Sequence, residues 1–181
     1  MLKWMIRKRL AAFERRHDYD MSYARDILAA DTRGFLAFAK VTALSEYRRD
    51  VPRDVYVAAK LVGTLAEDCG PCTQLVVTMA LRDGVDGTLL AAVLARDDAA
   101  LSPEVLLGVQ FARAVLAHDP EADPHRDEIV RRWGARALVS LAFAMVAARI
   151  YPTLKYALGH GKTCQRVVVA GTPVTVVRDA A

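Results

Sequence analysis

The segment RDVYVAAKLVGTLAEDCGPC, Arg53 to Cys72, decides the fold. From Val55 to Leu65 its apolar residues recur at the i, i+3, i+4 spacing of a helix with one buried face. Pro52 opens that helix, and Cys69-Gly70-Pro71-Cys72 opens another directly behind it. Two thiols three positions apart close a disulfide only in particular backbone geometries, and a Gly-Pro spacer supplies one. At a helix start, unpaired N–H groups and the helix dipole favour a thiolate, and such a thiol's pKa falls from about 8.5 toward about 7 or lower. The pair reads as redox chemistry, as half of a metal site, or as an inert structural pair.

Outward from this segment the chain reads as helical nearly throughout. The same periodicity covers Tyr23–Leu44, Leu75–Leu81, Leu89–Leu94, Val105–Leu116, Ile129–Trp133 and Leu138–Leu158. Ser102-Pro103 and Asp123-Pro124 each place an N-cap before a proline at the first helical position. Gly84-Val85-Asp86 ends one helix and starts the next. Pro152 is expected to kink or split the last helix. Residues 166–177 form the only β-like stretch, a hairpin or extended arm turning at Gly171-Thr172-Pro173.

Composition bounds the function classes. A chain of 181 residues with 54% hydrophobic content and mean hydropathy +0.16 folds as one domain, 1–181. Three cysteines, Cys69, Cys72 and Cys164, are too few for a disulfide-stapled secreted scaffold. With no signal peptide evident, and an apolar stretch at Ala137–Ile150 too short to span a bilayer, a cytoplasmic protein is expected. The charge of +4 is concentrated near the start, where residues 1–20 read as a basic amphipathic arm packing on its own domain or a sister subunit. Neither nucleic acid nor membrane is expected as a partner. The long apolar sweep from Ala135 to Ile150 points to a homo-oligomer.

Thioredoxins carry the same Cys-Gly-Pro-Cys motif, but within a βαβ unit, with a hydrophobic strand directly before it. Here a helical pattern stands in that place. The order helix, C-x-x-C helix, then Gly84-x-Asp86 helix instead resembles the alkylhydroperoxidase D-like, or carboxymuconolactone decarboxylase, family over about residues 53–158. The likeness is clearest from Ala66 to Cys72 and from Gly84 to Gly87. It implies an all-α, alkylhydroperoxidase D-like domain with a short β-like C-terminal tail, assembled as a dimer, trimer or hexamer. The activity implied is thiol-dependent peroxide reduction without a cofactor; disulfide exchange is what the residues themselves support.

The chain departs from the family at two positions. Redox-active members place a glutamate twelve residues before the first cysteine and a histidine four after the second. Here these are Val57 and Val76, so the cysteine pair carries over and the proton relay does not. Glu67, and behind it Asp68, are the nearest replacement acid–base groups. His160 is a third candidate, and with Cys164, Cys69 and Cys72 it could complete a Cys₃His zinc set. The candidate site is therefore Cys69 and Cys72 with Glu67 and His160, acting on a small peroxide or disulfide and reset by an external thiol. No metal is assigned. The alternative is a non-enzymatic helical oligomer with a vestigial or redox-sensing pair, which the two valines favour.

Overall fold

A computed structural model of the chain describes residues 1–162 and 166–177. The fold is all-α with one small hairpin at its end. The order is α1 (Leu2–His17), α2 (Ser22–Ala30), α3 (Thr32–Ala39), α4 (Val41–Glu46), α5 (Arg53–Leu65), α6 (Gly70–Arg82), α7 (Gly87–Ala95), α8 (Pro103–Ala117), α9 (Ala122–Trp133) and α10 (Ala135–Ala157). Antiparallel strands β1 (Arg166–Val169) and β2 (Thr172–Thr175) follow.

Three of the ten described α-helices start on a side-chain cap, those of Asp31, Asp86 and Ser102. Asp86 caps α7 by accepting from Thr88 N at 2.8 Å, and Ser102 caps α8 by accepting from Val105 N. Four local expectations are corrected. The pattern from Tyr23 to Leu44 is three helices, because Asp31 adopts extended backbone and caps a new one through Arg33 N and Gly34 N. α9 starts at Ala122, ahead of Asp123, with Asp119 bonding Glu121 N at 2.9 Å in the preceding turn. Pro152 does not split α10, which is one helix with the proline buried inside it. The hairpin turns at Ala170-Gly171, both at positive φ, and Pro173 pairs with Val168 within β2.

α10 is the central packing element. It lies against α5, α4 and α9, burying Ala137, Leu141, Ala144 and Ala148. Much of its apolar length is therefore used inside the chain. By length and composition alone (23 residues, mean hydropathy 1.6 over its most apolar window) it is long and apolar enough to cross a membrane, being longer than the Ala137–Ile150 stretch within it. The crossing with α5 is close. A Cβ at Gly63 would stand 2.9 Å from the Met145 carbonyl oxygen.

Apolar packing divides in two. The larger core is built on α5, α8 and α10, and the hairpin adds Val167 and Val169 to it. A smaller cluster holds Ile6 and Leu10 of α1 with Tyr19, Tyr23, Leu28 and Phe35. The basic arm thus packs on its own domain. The hairpin is anchored to α6 through Gln74, whose side-chain amide donates to Val168 O at 2.9 Å and accepts from Val168 N at 2.8 Å.

Gly63→Ala is expected to destabilise the protein by about 1–3 kcal/mol, because the new methyl meets backbone, which cannot rotate aside. Urea unfolding reads this directly; an unchanged midpoint would mean that the two helices separate without penalty.

Candidate functional site around the cysteine pair

The corner between α5 and α6 is built by its own residues. After Leu65 the backbone turns through Asp68, which takes the left-handed conformation at φ 47°, and enters Cys69 in extended form. Cys69 is the N-cap of α6; its carbonyl accepts from Thr73 N at 2.9 Å and from Thr73 Oγ1 at 3.0 Å. Gly70 N donates to Lys162 O at 3.0 Å, and Pro71 has no N–H to place. Tyr156 of α10 donates its hydroxyl to Asp68 O at 2.8 Å. Cys69 and Cys72, with Cα atoms 5.3 Å apart, are joined as a disulfide across this first turn.

The two sulfur positions are not equivalent. Cys69 is fully buried, whereas Cys72 is 5% exposed and lines a cavity of about 780 Å³. That space lies between the two apolar clusters, with Leu10, Phe13 and Leu75 of the smaller one and Val57 and Val76 of the larger one lining it. Lys60 lines it too, with Nζ donating to Ser45 O at 2.9 Å. Burial pulls the Lys60 ammonium below its usual pKa.

Behind Cys72 sits a buried polar group. Tyr19 Oη lies 3.7 Å from Cys72 Sγ, and Lys155 Nζ donates to Tyr19 Oη at 3.3 Å. Lys155 is 3% exposed, and its ammonium lies 4.7 Å from the Tyr19 ring centre and 5.4 Å from that of Tyr23. Burial lowers the Lys155 pKa, opposed by the negative charge of Asp20. Burial also pushes the Tyr19 hydroxyl up to about 12 and that of Tyr23 higher still, so both remain proton donors at any physiological pH.

The residues nearest the cysteines in sequence are engaged elsewhere. The Glu67 carboxylate takes Arg149 Nε at 2.5 Å and Thr153 Oγ1 at 2.9 Å, tying the corner to α10, and it does not line the cavity. His160 Nε2 lies 2.8 Å from Asp26 Oδ2. Cys164 lies outside the described residues, and among those described no group of His, Cys, Asp and Glu is gathered for a metal. Val57 and Val76 both line the cavity beside Cys72. Tyr19 and Lys155 were not singled out by sequence. A signal existed for Lys155, which continues the buried stripe Ala137, Leu141, Ala144, Ala148 at helical spacing. Tyr19, in the turn between α1 and α2, carried none.

Comparison of the chain with protein-family models, with curated proteins and with solved structures finds no match. The chemistry is accordingly argued from this geometry.

In the reduced protein Cys72 is expected to be alkylated by iodoacetamide roughly tenfold or more faster than Cys69, since only its sulfur faces open volume. Peptide mass spectrometry at early times measures the ratio. Equal rates would mean that the corner opens as readily as the cavity admits the reagent.

Proposed function

We propose that the protein is a thiol-dependent oxidoreductase that reduces small organic hydroperoxides at Cys72 and is returned to its dithiol form by a low-molecular-weight thiol. The observation that carries this reading is the asymmetry of the pair, with one sulfur on a cavity and its partner sealed behind it. A cavity of about 780 Å³ is of the size that takes a small molecule. Cys72 is 5% exposed, too little surface for the disulfide of a folded protein to dock against, which favours hydroperoxide reduction over exchange with protein disulfides.

The chemistry balances as two two-electron steps. The Cys72 thiolate attacks the distal oxygen of the hydroperoxide; an S–O bond forms as the O–O bond breaks, and the alkoxide takes one proton to leave as an alcohol. The resulting sulfenic acid is attacked by Cys69, forming the disulfide and releasing water. Two equivalents of an external thiol then reduce the disulfide, one attacking Cys72 and the second displacing it, to give an external disulfide and the dithiol. Position at the start of α6 favours the Cys72 thiolate through the helix dipole.

A second reading is supported by Val57 and Val76. These side chains beside Cys72 carry no proton, and a pair without fast proton delivery serves as a slow redox sensor in a binding protein.

Cys72→Ser is expected to lower hydroperoxide turnover by roughly three orders of magnitude. Cys69→Ser is expected to stop after one oxidation, with the sulfenic acid at Cys72 captured by a dione probe and located by mass spectrometry. Turnover that survives both substitutions would end the proposal. A disulfide that forms reversibly in the wild type without consuming hydroperoxide in excess of protein would support the sensor reading instead.

A further inference from the structure

We infer that Tyr19 and Lys155 are the proton-transfer path of Cys72: Tyr19 a catalytic residue in contact with the sulfur, Lys155 the positioning and proton-supplying group behind it. This rests on the hydroperoxide reading above and adds the acid–base partner that the cavity valines lack.

The argument begins with donors and acceptors. A lysine ammonium has three N–H donors and no acceptor, so the 3.3 Å contact between Lys155 Nζ and Tyr19 Oη requires the tyrosine oxygen to accept. The Tyr19 proton is then free to point at Cys72 Sγ, 3.7 Å away. The chain of contacts has one direction, from Lys155 through Tyr19 to sulfur. A donor aimed at sulfur stabilises thiolate over thiol, and a cation one group behind it does the same through space.

Lysine is rarely buried without a partner. At 3% exposure, Lys155 makes no ion pair among the described residues, and its only side-chain hydrogen bond there goes to Tyr19. Packing does not require a lysine in this place, since a methionine fills comparable space without desolvating a charge. Burial also lowers the affinity of Lys155 for its proton, which suits a group that must give it up.

In the first step of the cycle the Cys72 thiolate attacks the distal peroxide oxygen. The Tyr19 hydroxyl protonates the departing alkoxide, and the Lys155 ammonium replaces the tyrosine proton, leaving neutral amine. Lys155 recovers a proton when the two cysteines are again reduced and Cys72 ionises. No proton or electron is left over.

Other charges surround these groups. Around Lys155 stand Asp20 and Tyr19 between α1 and α2, Tyr23 on α2, and Lys162 beyond α10. Tyr151 on α10 couples to both tyrosines. Lys60 on α5, Glu46 of α4 with Arg48 after it, and Arg9 of α1 line the same cavity as Cys72. Arg53 of α5 and Asp83 after α6 complete the charged lining. All of these are common to the variants below, so differences between variants report on Tyr19 and Lys155.

The test is the pH dependence of Cys72 alkylation by iodoacetamide in reduced protein, read peptide by peptide, for wild type, Lys155→Met and Tyr19→Phe, with thermal melts to verify folding. In the wild type the midpoint is expected well below the usual thiol value. Either substitution is expected to move it upward, so that the Cys72 thiolate fraction at neutral pH falls about tenfold. Loss of packing alone admits water, which favours the thiolate and moves the midpoint down, the opposite direction. A depressed midpoint unchanged in both variants would overturn this assignment and leave the oxidoreductase reading standing on the helix terminus. An ordinary midpoint in the wild type would overturn both. If Lys155→Met fails to fold, Tyr19→Phe, which keeps the ring and removes only the hydroxyl, decides alone.

Discussion

Because Gly63 has no side chain, α5 can lie close against α10 at Met145, and from that contact the arrangement of the site follows. α10 continues past the crossing for three further turns. Its last part passes beside the corner that ends α5 and begins α6, where Arg149 and Thr153 hold Glu67 and Tyr156 holds Asp68. The residues beyond it return to bond Gly70 through Lys162. A wider crossing would withdraw Lys155 from Tyr19 and leave the first turn of α6 without its cover.

The site also depends on division of the apolar interior. The larger core is continuous across α5, α8 and α10, while α1 and α2 close over a second cluster. Packing between the two is incomplete, and the unfilled volume is the cavity that reaches Cys72. A molecule with a single tight core would bury both sulfurs alike, and the pair would be structural. Here one sulfur is sealed and the other opens onto space, and the proposed peroxide chemistry rests on that difference.

Legibility differed sharply between the pair and its surroundings. Cys69 and Cys72 stand out because closing a disulfide depends on local spacing, and a helix start after Asp68 is encoded within a few residues. Glu67 and His160 were attractive because they lie near the cysteines in sequence or in motif. The turn after α5 directs the Glu67 carboxylate to α10, and His160 reaches Asp26. Tyr19 lies 53 positions from Cys72 and 136 from Lys155. Nothing in a linear pattern pairs residues at such separations, although a lysine on the buried stripe of α10 was a visible anomaly.

By itself the sequence determined the helical class, because amphipathic periodicity and capping chemistry act over one or two turns. It likewise determined that the motif opens a helix and that the tail forms strands. Smaller breaks, such as the extended Asp31 between α2 and α3, were lost beneath a continuous apolar rhythm. Only the tertiary structure decided which sulfur meets the cavity and which groups stand behind it. Those are matters of how helices distant in the chain cross, and a crossing is set by close packing of side chains rather than by the preferences of any one segment.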